Sequence, residues 1–261
     1  MIYLPDYPSA FWLAAPAAVV LMGISKGGFG TGIGVAATPL IALTISAAEA
    51  AALLLPLLLV ADAFAFRQYY RCFDKTNLIQ LLIGAMVGIG LGWFFFGYFR
   101  TNERILKLGI GVLALSFVLF QVLRATLMGT LANRSPRPGQ GVFWGGVAGF
   151  TSTLAHVGGP PVLIHLLPQK LSREIFVGTS VIFFMSMNLI KLIPYSQLGL
   201  LRMDNLMLII VLSPLAYLGV KIGVSLNRRF NEVWFNRVIY FVLALTGVQL
   251  IAGRSIIALL F

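Results

Sequence analysis

Charged residues are scarce in this 261-residue chain: Asp, Glu, Lys and Arg make up 10% of it, whereas hydrophobic residues make up 59%. A soluble globular domain has about 25% charged and about 45–50% apolar residues. The mean hydropathy of +0.93 points the same way. Because one water-soluble core of this size cannot bury so much apolar surface, the sequence predicts an all-α polytopic membrane protein whose outer solvent is the lipid bilayer.

Cysteine and histidine, which are common ligands of transition metals, are nearly absent. The chain has one cysteine, Cys72, and two histidines, and it lacks a His-Glu-x-x-His motif. One cysteine cannot form an intramolecular disulfide, and two histidines without such a motif disfavour a metalloenzyme. No metal and no cofactor is therefore expected.

Acidic residues are also few, with eight Asp and Glu against nineteen Lys and Arg, so the net charge is +11. The basic residues stand mostly in short connections between apolar runs, as the positive-inside rule expects of a membrane protein, rather than on one face. No nucleic-acid partner is therefore expected. Residues 1–10 contain Asp6 but no Lys or Arg, so the first apolar run lacks the charged region of a signal peptide and is expected to be retained.

Long apolar runs are abundant. Two of them, the first broken stretch at about 10–45 and the second broken stretch at about 141–168, are interrupted by a glycine-rich run at 26–34 and by Gly-Gly-Pro-Pro at 158–161. Irregular backbone at membrane depth is tolerated only where protein or water covers it, so both are predicted to be broken or re-entrant helical hairpins that line a pathway. Six uninterrupted runs have the roughly 20 residues that a spanning helix needs, at about 48–67, 77–98, 104–124, 174–194, 204–223 and 235–258.

The two broken stretches resemble each other. At an offset of 122, four residues of the first recur in the second: Gly23, Gly27, Thr31 and Pro39 match Gly145, Gly149, Thr153 and Pro161. A hydrophilic segment at 125–140 separates the two copies. The sequence therefore predicts a single transmembrane transporter domain, 1–261, with repeat 1 at about 1–124 and repeat 2 at about 141–261. Interrupted helices at matching places in two halves are typical of the binding site of a secondary transporter.

Loop charges indicate how the halves are oriented. If each half has three crossings and one re-entrant hairpin, one side of the membrane carries twelve basic residues and the other carries six, with Lys26 left out as buried. If both broken stretches cross fully, the split is nine against nine. The positive-inside rule therefore favours two inverted repeats, each with three crossings plus a hairpin, and a periplasmic N-terminus. The count does not test the first broken stretch, whose re-entrance rests on the repeat alone.

Three segments carry a resemblance to a known family: Gly23-Ile-Ser-Lys-Gly-Gly-Phe-Gly-Thr-Gly, Gly149-Phe-Thr-Ser-Thr-Leu-Ala-His-Val-Gly-Gly-Pro-Pro and Glu174-Ile-Phe-Val-Gly-Thr-Ser. In these motifs, in its length and in its two-half layout, the chain resembles the sulfite exporter TauE/SafE family. The resemblance implies secondary active transport across the bacterial inner (cytoplasmic) membrane. The implied substrates are sulfite, thiosulfate, sulfonates such as sulfoacetate, or other organic anions, and the implied direction is export driven by the proton motive force.

A sulfite or sulfonate ion presents several acceptor oxygens, so its site needs backbone N–H groups, hydroxyls and positive potential. Helix ends and glycines at the two breaks can supply the N–H groups, while a lysine and a histidine can supply the potential. The candidate substrate-binding residues are Lys26, Gly27, Gly28, Gly30, Thr31, Gly32, Thr151, Ser152, Thr153, His156, Gly158, Gly159, Thr179, Ser180 and Asn188.

These candidates also have structural interpretations. Lys26 can reach the headgroups from a helix end, His156 can bond an exposed carbonyl of the broken helix, and the hydroxyls can cap backbone or support helix packing. Asp62 and His156 are the candidate carriers of a coupling proton. The alternative for Asp62 is an ion pair with Arg67, about one turn away.

Two rival functions stay open. Residues 23–27 match the Gly-x-Ser-x-Gly pattern of serine hydrolases, so an intramembrane hydrolase using Ser25 and His156 is one alternative, although that motif belongs on a strand-to-helix turn and no strand is predicted. An uncoupled anion channel could use the same positive helix ends. The sequence favours a transporter over an enzyme, with a small anion, protons and the bilayer as partners. A homo-oligomer stays open, because lipid-facing and partner-facing apolar surfaces look alike.

Overall fold

Helices form every regular element in the part of the chain that the computed structural model describes, residues 5–29, 33–99, 101–131, 137–201, 205–227 and 232–253. The first five are α1 (Ser9–Ile24), α2 (Ala37–Ala42), α3 (Ala47–Tyr69), α4 (Lys75–Phe99) and α5 (Glu103–Leu131). The next five are α6 (Gln140–Ala155), α7 (Gly159–Leu166), α8 (Arg173–Gln197), α9 (Leu206–Asn227) and α10 (Glu232–Ala252). A π-helical turn, Ser25–Phe29, extends α1, and 3₁₀ turns cover Ile33–Ala36 and Leu167–Gln169.

Within the described ranges, six helical segments are long and apolar enough to cross a membrane: Ser9–Gly27, Ala47–Tyr69, Lys75–Phe99, Glu103–Leu123, Arg173–Gln197 and Leu206–Ser225. The last five coincide with predicted spans. The sixth predicted span, 235–258, corresponds to α10, but its residues beyond 253 lie outside the described range. Ser9–Gly27 is the first arm of the first broken stretch, for which the sequence predicts a re-entrant hairpin. This arm is long enough to cross because the π-helical turn lengthens α1. The chain is a multi-pass membrane protein.

The outer surface of the bundle is apolar, as a lipid solvent requires. On α4, eight large hydrophobic side chains stay exposed: Ile79, Ile83, Met86, Val87, Leu91, Trp93, Phe94 and Tyr98. A soluble monomer rarely exposes a continuous apolar surface of this extent. This face of α4 therefore has the apolar surface of a helix that does not face water.

Polar side chains mark where the spanning helices begin. Ser46 accepts a hydrogen bond from the Glu49 N–H at the start of α3, over 3.2 Å, and Ser172 accepts one from the Ile175 N–H at the start of α8, over 3.5 Å. Asp74 caps α4 in the same way, over 2.7 Å. These caps satisfy N–H groups that the first turn of a helix leaves without an intrahelical partner.

The second broken stretch folds into a hairpin. α6 ends at His156, whose backbone is left-handed with φ 55°, and α7 begins at Gly159. α7 then runs back along α6, because His165 near its end lies beside Gly141 at the start of α6; a Cβ on Gly141 would stand 3.0 Å from His165 Nε2. The predicted break is therefore present, and the chain turns back instead of continuing across.

The first broken stretch also turns back on itself. The π-helical turn Ser25–Phe29 ends its first arm, and the 3₁₀ turn Ile33–Ala36 leads into α2. Gly34 lies against Ser25, where an added Cβ would be 3.3 Å from the Ser25 Cβ, and α2 contacts α1. The second arm therefore packs on the first. Residues 30–32, which join the arms, lie outside the described residues.

Glycines let the first arm of each hairpin pack closely on a helix of the other half. A Cβ added to any of four glycines in these arms would stand only 2.1–2.5 Å from a backbone oxygen of α9 or α4. Small residues of this kind allow membrane helices to approach backbone to backbone. The four are Gly23 and Gly27 facing α9, and Gly145 and Gly149 facing α4, which match at the offset of 122.

Contacts between the helices come in matched pairs. α1 packs on α9 as α6 packs on α4, and α3 packs on α9 as α8 packs on α4. α3 also meets α8, and α5 meets α10. Exchanging α1–α5 with α6–α10 leaves this set of contacts unchanged, which is the pattern expected of two repeats.

The close contact between α4 and α6 can be tested at Gly88. We expect Gly88→Ala to lower the unfolding free energy by about 1–3 kcal/mol, because the new Cβ would collide with the Gly146 carbonyl oxygen and force the helices apart. Gly90→Ala on the same helix is the matched control, since a Cβ there meets nothing within 4 Å. Thermal unfolding in detergent compares the two variants. Equal midpoints would contradict this packing.

Candidate functional site

Polar side chains from both halves meet at one cavity inside the apolar bundle. The cavity contains about 430 Å³ of empty space, including its opening. Its wall combines both hairpins with α3 and α8, and the lining residues are Met22, Ser25, Lys26, Gly34, Val35, Leu58, Ser152, His156, Gly159, Phe184 and Asn188. Five of these are candidates that the sequence predicted: Lys26, Ser152, His156, Gly159 and Asn188.

A buried ion pair stands at this cavity. The ammonium of Lys26, in the π-helical turn, donates to Asp62 Oδ1 of α3 over 2.5 Å, and Asn188 Nδ2 of α8 donates to Asp62 Oδ2 over 2.6 Å. The Asp62 side chain is 0% exposed and that of Lys26 is 13% exposed. Because each charge is costly at membrane depth unless it is paired, the contact holds α1, α3 and α8 together.

The contacts of Asp62 and Lys26 exclude the structural alternatives given above, a pair of Asp62 with Arg67 and a contact of Lys26 with the headgroups. Asp62 bonds Lys26 and Asn188, whereas its alternative partner Arg67 is exposed. Lys26 points inward to Asp62 rather than out to the headgroups, and its ammonium also lies 4.9 Å from the centre of the Phe184 ring, a cation–π distance. The sequence marked both residues, but it did not show that they are partners.

A second buried lysine lies behind the cavity wall. Lys191 of α8 is fully buried, and its Nζ bonds the Ser152 carbonyl oxygen (3.2 Å), Ser152 Oγ (2.9 Å) and His156 Nδ1 (2.9 Å). His156 Nε2 lies 2.9 Å from the Ala51 carbonyl oxygen, which can only accept. Nε2 therefore carries the ring proton and Nδ1 accepts from Lys191, so His156 is assigned as neutral from the hydrogen-bond network.

Sequence reasoning missed Lys191, because it counted this residue among the loop charges of the less basic side. The available signal was its position inside the apolar run 174–194, where a lysine is costly without partners. Lys191 also follows Asn188 by three residues, so the two side chains share a face of α8. Removing it from the loop count makes the charge difference between the two sides larger.

Tyr195, one turn beyond Lys191, fixes the tip of the second hairpin. Its hydroxyl donates to the Thr153 carbonyl oxygen over 2.7 Å, and its ring lies 6.1 Å from that of Phe96 and 6.2 Å from that of His156. The residue is fully buried. Its packing holds the last turn of α6, and with it the left-handed residue His156, against α8.

Four of the predicted hydroxyl donors lie away from the cavity. Each donates to a backbone carbonyl oxygen one turn earlier in its own helix, over 2.7–2.9 Å. This is the capping and packing role that the sequence left open for them. They are Thr151, Thr153, Thr179 and Ser180.

The predicted glycines divide in a similar way. Gly159 lines the cavity, whereas Gly27 packs against the Val220 carbonyl of α9, and a Cβ on Gly158 would touch Ser152 and Phe184. Gly28 belongs to the π-helical turn. The remaining three candidates, Gly30, Thr31 and Gly32, lie outside the described residues.

Donors from both halves face the cavity. Lys26 and Asn188 each keep N–H bonds that their contact with Asp62 does not use, and the Ser152 hydroxyl proton is free to donate while its oxygen accepts from Lys191. Gly159 begins α7, and Gly34 stands in the 3₁₀ turn that leads into α2, so both second arms start at the cavity. The first residues of both second arms and the Lys26 side chain thus line one space.

The hydrogen bonds of His156 do not fit the alternative of a serine hydrolase. A hydrolase needs a base that is free to take the serine proton and is oriented by a carboxylate. The His156 ring is held by Lys191 and by the Ala51 carbonyl instead.

Among the described residues, no group of three His, Cys, Asp or Glu side chains is placed to hold a metal ion.

The centre of the site joins equivalent positions of the two halves. Asp62 and Asn188, which share a hydrogen bond, are separated by 126 residues. The N-caps of their helices, Ser46 of α3 and Ser172 of α8, are separated by the same interval. The acid and the amide therefore occupy the same position in corresponding helices and meet where those helices touch.

Comparison with known proteins gives one match. The family model described as Sulfite exporter TauE/SafE matches residues 15–250. No curated protein matches the chain, and no solved structure matches it.

The ion pair at the cavity can be tested by a double-mutant cycle. We expect Lys26→Gln to lower the unfolding free energy by about 3–5 kcal/mol, because it leaves the Asp62 carboxylate buried without its cation. Asp62→Asn should cost less, since Lys26 reaches the cavity and water there. The double variant should fall short of the sum of the two losses by about 1–3 kcal/mol. Strictly additive losses in chemical unfolding would contradict the pair.

Proposed function

The chain belongs to the sulfite exporter TauE/SafE family, and from that premise we propose that it is a secondary transporter that exports a small sulfur-containing or organic anion. Its substrate is sulfite, thiosulfate, sulfoacetate or another sulfonate. It works in the bacterial inner membrane, and the proton motive force drives it. The observation that carries this function is the cavity itself, which Lys26 lines and beside which Asp62 and Lys191 are buried inside an apolar bundle.

The anion binds in the cavity between the tips of the two hairpins. Lys26, Ser152 and Asn188 donate to its oxygens, together with backbone N–H groups at Gly159 and Gly34. Lys191 does not line the cavity, but its side chain stands directly behind Ser152 and His156. His156, with both ring nitrogens engaged, positions Lys191 and does not itself donate to the anion in this arrangement.

Alternating access comes from movement of one half against the other. The halves are inverted repeats, and the matched contacts of α1 with α9 and of α6 with α4 support this assignment. The site lies where the repeats meet, as it does in other secondary transporters with discontinuous helices. With the basic loops in the cytoplasm, the N-terminus is periplasmic.

Ligand-dependent stability tests the site. Thermal unfolding of the purified protein in detergent is measured with sulfite, thiosulfate, sulfoacetate, methanesulfonate and simple carboxylates. An anion at about 100 times its Kd should add about 2.7 kcal/mol to the unfolding free energy. Ser152→Ala should weaken the affinity about tenfold, because a hydrogen bond to a charged ligand contributes about 1.5–3 kcal/mol.

Ser180→Ala is the matched control for that experiment, since its hydroxyl bonds the Phe176 carbonyl over 2.9 Å and lies away from the cavity. It should leave the affinity unchanged. If no anion stabilises the protein, or if both serine variants bind as the parent does, the assignment of this cavity fails.

Transport in proteoliposomes separates a coupled transporter from an uncoupled channel. A coupled transporter accumulates the anion against its gradient when a pH gradient is imposed, and a channel only equilibrates it. Loss of accumulation on collapse of the pH gradient would support coupling. Equilibration that is indifferent to the pH gradient would favour the channel.

A further inference from the structure

One ammonium at the cavity faces two acceptors. Lys26 is bonded to Asp62, and it also lines the space that a substrate anion would enter. Asp62 is fully buried behind Lys26 and does not itself line the cavity. The Asp62 carboxylate therefore already binds Lys26, the cation that an anion in the cavity would need.

The surroundings of Asp62 contain few other charges. Lys26 faces it from the π-helical turn and Asn188 from α8, while Lys191 of α8 and His156 at the end of α6 belong to the adjoining hydrogen-bonded group. With His156 neutral, protonation of Asp62 adds one positive charge to this group of side chains.

We propose that Asp62 is a built-in substitute for the transported anion, and that the anion and the Asp62 carboxylate compete for the ammonium of Lys26. This inference rests on the proposed function and specifies how protons are linked to it. When an anion takes Lys26, Asp62 loses its cation in a buried setting and binds a proton at its carboxylate. When the anion leaves, the proton leaves on the same side and the ion pair forms again, so one proton travels with each anion. A dianion then carries one net negative charge out of the cell, and the membrane-potential part of the proton motive force drives its export.

The competition fixes the sign of the pH dependence. Protonation of Asp62 removes the competitor of the anion, so the affinity for the anion rises as the pH falls. By reciprocity, anion binding promotes proton binding. Linkage to a single proton limits the change to about tenfold in Kd for each pH unit. Because protonation of Asp62 adds one positive charge beside the cavity, a dianion should gain more from it than a monoanion.

The test uses two anions whose own charge is constant near neutral pH, thiosulfate as a dianion and methanesulfonate as a monoanion. Kd is measured by calorimetry between about pH 6 and about pH 8, where neither probe titrates. For the parent protein we expect the thiosulfate Kd to fall by up to about tenfold per pH unit on acidification. Asp62→Asn, which cannot compete as an anion, should bind thiosulfate with the low-pH affinity at every pH.

Asp6→Asn is the matched control, because Asp6 is an exposed acid near the N-terminus; it should keep the pH dependence of the parent. A second measurement needs no variant: thiosulfate binding in weakly buffered solution should take up about one proton per anion at a pH where Asp62 is ionised in the empty protein. This keeps the inference testable should Asp62→Asn fail to fold.

The outcomes separate this inference from the function on which it rests. If thiosulfate or methanesulfonate binds, but no proton is taken up, the competition is overturned while the anion site stands. If Asp62→Asn keeps the pH dependence of the parent, the proton binds elsewhere and the inference is also overturned. If neither anion binds the parent protein at any pH, the proposed function and this inference fall together.

Discussion

The contact between Lys26 and Asp62 is the constraint on which the arrangement of this site depends. A lysine and an aspartate at membrane depth are each costly, and they become tolerable by meeting over 2.5 Å with Asn188 as a third partner. To meet, α1 must end in a π-helical turn beside α3 and α8. A buried ion pair is a poor source of stability compared with apolar packing, so its presence indicates a use for the charges.

The packing of the bundle brings these charges together without filling the space between them. Glycines on α1 and α6 let the first arm of each hairpin lie directly on the backbone of α9 and α4. The hairpins turn where the helices break, and the residues at which both second arms begin line the resulting cavity. Lys191 and His156 adjoin the site from the second half, so that each half supplies one lysine.

Hydropathy predicts much of the fold, but the sequence predicts only part of the site. Five spanning helices and the break at 158–161 could be predicted, because apolar length and Gly-Pro runs act locally. Lys26, Ser152, His156 and Asn188 were identified because polar residues in apolar runs are rare. The partnership of Lys26 with Asp62 could not be predicted, since it joins residues 36 apart on different helices. Sequence does not distinguish a glycine that admits a ligand from one that admits a neighbouring helix, so it does not reveal that Gly27 packs against α9.

We propose that the transported anion sits in the cavity beside Lys26, with Lys191 behind it. Selenite has the charge and shape of sulfite and carries an atom that anomalous diffraction locates directly. In crystals soaked with selenite, we expect an anomalous peak in the cavity, within hydrogen-bonding reach of Lys26, Ser152 and Asn188. A selenite peak elsewhere in the protein, with none in this cavity, would contradict it.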